Sequence, residues 1–236
     1  MRHPLQRAAN HEVKQGNDMT EKNISQDNSI AILPKQGSLP ADVNRLSYVG
    51  RKPGTVVRDR DADSWYTPAS YVEAARTVMD GIDLDPFSSE KANHTIRAAN
   101  YFTEDLSAFK VSWRKDKRKF PNGVRVWMNP PYSSGLISRA VECFLKELNA
   151  GNIDQAVVLV NNATDTQWFR ALRERSTAVC FTHHRISFES PDGKRVSGNT
   201  RGQAFFYFGL DSRAEAFVAE FSKFGWCISK ASGWRV

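Results

Sequence analysis

The residues whose types and spacing carry the clearest chemistry are Asn129, Pro130, Pro131 and Tyr132, directly after the apolar run Val124-Arg125-Val126-Trp127-Met128. A β-branched and aromatic stretch that stops at two prolines predicts a buried strand delivering a rigid loop to the end of a sheet. Each proline fixes φ at about −65° and removes a backbone donor, so the loop keeps its shape and offers free carbonyls. Asn129 adds a side-chain amide with an acceptor and donors, and Tyr132 adds a flat ring. The Asn129 oxygen and the Pro130 carbonyl, converging beside that ring, form a site for an exocyclic NH2 on a planar heterocycle. The chemistry is alkylation of the amine. An aromatic NH2 is a poor nucleophile because its lone pair is delocalised, and two acceptors gripping its hydrogens draw the nitrogen toward sp3 and free that pair. The plain structural alternative is a proline-stiffened turn.

A strand and loop of this kind need a sheet and helices to hold them. Upstream, Trp65-Tyr66-Thr67-Pro68 opens a helix expected from Pro68 to about Met79, with Thr67 as N-cap, Pro68 at the first helical position and Asp80-Gly81 closing it. Trp65 and Tyr66 serve either as a hydrophobic staple or as a wall against a cofactor. Ile82 to Ser89 reads as a short strand ending in an acidic turn, with Ser88 or Ser89 capping a helix from Glu90 to about Ala99. Such a strand-turn-helix corner is where open α/β sheets bind nucleotides. Asp85 can bind an amino group or a ribose hydroxyl there, or be an ordinary Asp-Pro turn.

Downstream, helical spacing runs from about Leu136 to Leu148, and Ala156 to Val160 is an unbroken apolar run of the buried parallel-strand type. A helix carrying Trp168, Phe169 and Leu172 follows, then a strand from Ser176 to Phe181. Arg185 to Phe188 and Gly202 to Gly209 read as an antiparallel pair around a basic, glycine-rich loop. A closing helix is expected from Ala214 to Phe224, then a short strand or tail in which Trp226 and Trp234 pack. The stretch before about residue 60 is polar and mixed in charge, and reads as a largely disordered arm ahead of one folded domain spanning 61–236.

Composition narrows the partners. A net charge of +7 over 236 residues favours a polyanion, with the run Arg114 to Lys119 either a solvated loop or a phosphate contact. Cys143, Cys180 and Cys227 are widely spaced, with no His at ligand spacing, and read as reduced thiols. His183 and His184, as strand neighbours, point to opposite faces, so no metal is expected. No apolar run reaches membrane-spanning length and the start of the chain lacks a signal-peptide core, which leads to the expectation of a cytoplasmic protein.

Taken together, Trp65-Tyr66-Thr67-Pro68, Asp83-Leu84-Asp85-Pro86-Phe87-Ser88-Ser89 with Asn93, and Asn129-Pro130-Pro131-Tyr132 resemble the phage-type DNA N6-adenine methyltransferases, the Dam-like family. The resemblance covers about Trp65 to Gly209. It implies an α/β, Rossmann-like methyltransferase fold: a mostly parallel sheet with a terminal antiparallel hairpin and helices on both faces. It also implies S-adenosylmethionine held by Trp65, Tyr66, Thr67, Pro68, Asp85, Pro86, Phe87, Ser88, Asn93 and Asp105, with Asn129 beside it. The substrate it implies is double-stranded DNA, with an adenine rotated into a pocket of Asn129, Pro130, Pro131 and Tyr132, because a stacked amine is out of reach. Candidate DNA contacts are Lys117, Arg118, Lys119, Arg185, Lys194, Arg195 and Arg201. Many methyltransferases follow the acidic residue of their first motif with Phe-x-Gly-x-Gly, whereas here Phe87 is followed by Ser88-Ser89. The room between Asp85 and Asn129 also points to an abbreviated sheet. Competing readings are methylation of cytosine N4, of a protein glutamine or of a ribosomal guanine, and a DNA-binding protein with a degenerate cofactor site.

Overall fold

The computed structural model describes residues 66–103, 107–133, 135–189 and 200–232. Within them the chain runs α1 (Ala69–Met79), β1 (Leu84–Asp85), α2 (Glu90–Ile96), β2 (Asn100–Tyr101), β3 (Val124–Met128), α3 (Leu136–Asn149), β4 (Ile153–Asn161), α4 (Gln167–Arg175), β5 (Ala178–Thr182), β6 (Gln203–Phe208), α5 (Asp211–Phe221) and β7 (Gly225–Ser229). The strands form one mixed sheet in the order β2-β1-β3-β4-β6-β5-β7. The first half is parallel, β1 pairing with β2 and β3, and β3 with β4. The second half is antiparallel: β6 lies reversed between β4 and β5, and β7 runs against β5.

The pleat divides the core cleanly. On β4, Val157 and Leu159 point to the face covered by α1 and α5, while Ala156, Val158 and Val160 point to the face covered by α3 and α4. β6 repeats the alternation, with Phe205 and Tyr207 on the first face and Phe206 and Phe208 on the second. Burying each such side chain contributes about 1.5–3 kcal/mol, and these rings pack against Phe217, Phe221, Phe144 and Phe169. Helices therefore cover both faces.

Several expectations are corrected. Arg185 to Phe188 is not a strand, because both edges of β6 are taken by β4 and β5. The segment instead turns aside: the Ile186 amide donates to the Gln203 side chain at 2.8 Å, and Glu189 exchanges two 2.9 Å backbone bonds with Tyr66. The N-cap of α1 is Pro68, not Thr67, whose side chain makes no cap bond. α2 stops at Ile96, three residues early, where Arg97 adopts a left-handed conformation. Trp226 does not pack into the core. It is 62% exposed on the edge strand β7, stacked on Phe181 at 6.1 Å. Cys180 and Cys227, distant in sequence, sit opposite one another across β5 and β7, both free. Among the described residues between β1 and β3, the sheet gains only the two-residue β2, the abbreviation expected from the chain length there.

One ion pair fastens the start of β3. The Arg125 guanidinium grips the Asp83 carboxylate through two 2.8 Å bonds, its backbone amide adds a third at 2.9 Å, and its far nitrogen bonds the Asp80 carbonyl at the end of α1. Burial works against the Asp83 charge, but the Arg125 bonds prevail and hold its carboxyl below the usual range. Asp83 thus belongs to the frame, not to the loop that follows β1.

Candidate active site

The parallel strands β1, β3 and β4 all point their carboxyl ends the same way, so Asp85, Asn129 and Asn161 lie along one rim of the sheet. Asn129 leaves β3 immediately after the fully buried Met128, which anchors the loop, and is itself half-buried. Pro130 is buried, while Pro131 and Tyr132 are partly exposed. The Asn129 amide is held at both ends. Its Nδ2 donates to the Thr67 hydroxyl at 3.2 Å, and its Oδ1 lies 3.0 Å from the Tyr132 hydroxyl. That hydroxyl also lies 3.1 Å from the Leu159 carbonyl of β4. With one hydrogen and two acceptors, it can release Asn129 Oδ1 by turning to Leu159, leaving the amide oxygen for another donor. Thr67 is 5% exposed, so this contact is shielded from water.

Asp85 ends the neighbouring strand β1 and is buried, with no charged group among the described residues set against it. Burial pushes its carboxyl up to about 7, drawn back in part by the Ser88 side chain and the Phe87 amide. The Phe87 amide donates to Asp85 at 3.2 Å, the Ser88 amide donates to the Phe102 carbonyl at 2.9 Å, and Ser89 caps α2 by accepting from Ala92 at 3.1 Å. Side-chain and cross-strand bonds thus shape a turn that elsewhere relies on glycines. Pro86 is buried, and the Phe87 ring packs on Phe109 and Trp113.

Other candidates divide. Tyr66 and Pro68 flank Thr67, and Tyr66 lies under the Lys91 ammonium at 5.5 Å. Asn93 is turned to a local task, both ends of its amide bonding the backbone of Ala98 at 2.9 and 3.3 Å. Arg185 and Arg201 lie at the Asn129 end, just after β5 and just before β6. Lys117, Arg118 and Lys119 do not. They precede β3, whose five residues span roughly 16 Å at about 3.3 Å per residue, and Lys119 lines cavities with Val124 or Gly123 at the strand's opposite end. Two cavities, of about 500 and 250 Å³, are found at that opposite end. Trp65, Asp105, Lys194 and Arg195 fall outside the described residues, as does Trp234. Among the described residues no cluster of three or more metal-ligating side chains occurs, and no helix is long and apolar enough to cross a membrane.

Two contributors went unread in the sequence. The Tyr132 hydroxyl matters beside its ring, and only the fold reveals Leu159 as its second acceptor. Gln203, 1% exposed, accepts from Ile186, donates to the Arg201 carbonyl at 2.7 Å and reaches Asn161 at 3.4 Å, tying together three segments of the same rim. A lone glutamine opening an apolar strand carries no signal of that role.

An asparagine amide held beside a tyrosine ring, on a proline-stiffened loop at the carboxyl rim of such a mixed sheet, is suited to an enzyme alkylating an amino group. Comparison with known proteins reaches the same class and narrows it: residues 54–219 match the family DNA N-6-adenine-methyltransferase (Dam), and the chain belongs to that family. It is similar to the DNA N-6-adenine-methyltransferase of Escherichia phage T1, 25% identical over 174 residues, 66% of each chain, or just under two thirds of that relative's length. It is also similar to the DNA N-6-adenine-methyltransferase of Haemophilus phage HP1 (strain HP1c1), 27% identical over 155 residues, 63% of this chain and 79% of that protein. Both relatives carry the name of an adenine-specific DNA methyltransferase.

Proposed function

We propose that this chain transfers a methyl group from S-adenosylmethionine to the N6 amine of an adenine rotated out of double-stranded DNA into a pocket formed by Asn129, Pro130, Pro131 and Tyr132. The observation that carries the reading is the Asn129 amide held between the Thr67 and Tyr132 hydroxyls at the end of β3. Asn129 Oδ1 and the Pro130 carbonyl accept the two amine hydrogens, and Tyr132 stacks on the base. As the base arrives, the Tyr132 hydroxyl turns its hydrogen bond to the Leu159 carbonyl, so the amide oxygen is freed without any group being ionised. The amine attacks while still neutral. Its proton leaves afterward to water, once methylation has made the nitrogen cationic and acidic. Catalysis then rests on positioning.

Asp85 supports the choice of cofactor. A buried carboxyl at a strand end, with no cation set against it and its pKa raised to about 7, fits the ammonium of an amino-acid ligand. S-adenosylmethionine, when bound, supplies an electrophilic methyl on a sulfonium. Where many methyltransferases place glycines after the acidic residue, the Phe87 and Ser88 amides and the Ser89 cap shape the turn here. Residues 61–236 are read as one Rossmann-like domain, with Tyr66, Thr67, Pro68, Pro86, Phe87 and Ser88 flanking the cofactor and Arg185 and Arg201 facing phosphate. Action in the cytoplasm of a host cell follows from DNA as substrate.

The test is incubation of unmethylated plasmid with protein and cofactor, then nucleoside mass spectrometry. N6-methyladenine from the wild type, absent with Asn129→Ala, is expected. N4-methylcytosine, or label appearing in protein instead, would overturn the reading.

A further inference from the structure

The cavity of about 500 Å³ lies at the start of β3, on the opposite end from Asn129, between the short edge strand β2 and the loop that carries the basic run. Its floor is apolar and aromatic: Leu84, Phe102, Trp113 and Val124 are each 2 or 3% exposed. Tyr101 and Phe120, both half-buried, stand in its walls. Lys115 and Lys119 line it as well, the first 5.0 Å over the Phe102 ring and the second 5.3 Å over Phe120. Both are exposed, and so are Lys117 and Arg118 beside them. None of the four enters an ion pair among the described residues. The Asp116 carboxylate fixes the turn that displays them, accepting from the Arg118 and Lys119 amides at 2.9 and 3.0 Å. Arg114 braces the loop from below, bonding the carbonyls of Gly151 and Pro121.

Lys115 and Lys119 stand over rings of a hollow that Asp83 and Asp116 also line, Asp83 being held by Arg125 and Asp116 by the turn amides, and Lys117 and Arg118 stand beside it. Rings with adjacent cations are the combination that holds unpaired nucleic acid, the base stacking on a ring face and the phosphates meeting the charges. A paired base cannot enter a recess of this kind without leaving its stack. Lys117 and Arg118, outside the cavity but continuous with it, extend the charge beyond one nucleotide and favour a strand over a free mononucleotide. We propose that this cavity is a second nucleic-acid site, one that takes an unpaired stretch of strand, with a base against Phe120 or Tyr101 and its phosphates on Lys115, Lys117, Arg118 and Lys119. The site stands apart from the Asn129 pocket and does not depend on the methylation reading.

The test is fluorescence anisotropy with the full chain and a short labelled oligothymidylate, with AMP and unlabelled duplex as competitors. The wild type is expected to bind the oligonucleotide, with unlabelled duplex failing to displace it fully. The double variant Lys115→Glu/Lys119→Glu is expected to lose about tenfold or more in affinity and to flatten the salt dependence by roughly one unit of slope per cation. Phe120→Ala is expected to lose about tenfold through stacking. Arg185→Glu/Arg201→Glu should keep the binding. If Phe120→Ala melts early, the lysine pair, being exposed, still decides. Affinity within about twofold of wild type in the lysine variant, complete displacement by duplex, or binding of AMP without the oligonucleotide would each overturn the proposal. So would loss of binding in the Arg185/Arg201 variant alone.

Discussion

The two ends of β3 are built on opposite electrostatic plans. At Val124 the strand begins among charges: Asp83 and Arg125 locked together, with Lys115 and Lys119 around a cavity. At Met128 it ends among neutral groups, where an amide, two hydroxyls and a backbone carbonyl hold one another. The charged end fastens the fold and meets solvent. The neutral end can take an uncharged amine without first moving a proton or breaking an ion pair. An amide that must grip hydrogens is better served by partners that can let go than by a carboxylate that cannot.

The sharpest way to break this comparison is at its neutral end. Asn129→Ala is expected to lower kcat on the order of a thousandfold while the denaturation midpoint stays near wild type; turnover within about tenfold of wild type would remove Asn129 from the chemistry. At the charged end the opposite pattern is expected. Arg125→Ala leaves Asp83 buried and unpaired and should cost about 3 kcal/mol, measured by urea unfolding, with turnover per folded molecule retained.

Thr67→Val sharpens the neutral end further. Because Pro68 and not Thr67 occupies the cap position, no helix cap is lost, and stability should fall by only about 1 kcal/mol, one buried hydrogen bond, while kcat falls about tenfold. Thr67→Ser should restore the rate. A rise in cofactor Kd with unchanged kcat would instead make Thr67 a cofactor contact alone.

The smallest effect per step is a pH slope, spread across the window from 3.8 to about 7. Asp85 is raised in the folded chain from an ordinary 3.8 to about 7, so between those values the folded state holds a proton that the unfolded state has lost. Stability of the cofactor-free protein should therefore fall as pH rises through that window, by at most about 1.4 kcal/mol per pH unit. Asp85→Asn should flatten the slope in calorimetric melts across the window.

Local pattern announced what local physics determines. β3 and α3 were legible because an apolar run closed by prolines and a clean helical stripe each admit one reading. The rim residue Asn129 was legible for the same reason. What escaped was decided by contacts between distant segments. Arg185 to Phe188 has the composition of a strand, yet β6 had no edge to offer it. Thr67 before a proline reads as a cap, but its hydroxyl goes to a residue 62 positions away. The basic run looked close to Asn129 because only the strand separates them in sequence, and a strand carries its two ends apart.

The reversed strand β6 sets an order on assembly. It is the sixth strand along the chain but sits in the interior of the sheet, satisfying β4 on one side and β5 on the other. A nascent or truncated chain ending before Gln203 would leave bare apolar strand borders on β4 and on both sides of β5, the condition under which chains pair with their neighbours instead of themselves. Ribosome release, or a fusion that delays it, should therefore govern the soluble yield of this protein more than any substitution at its rim.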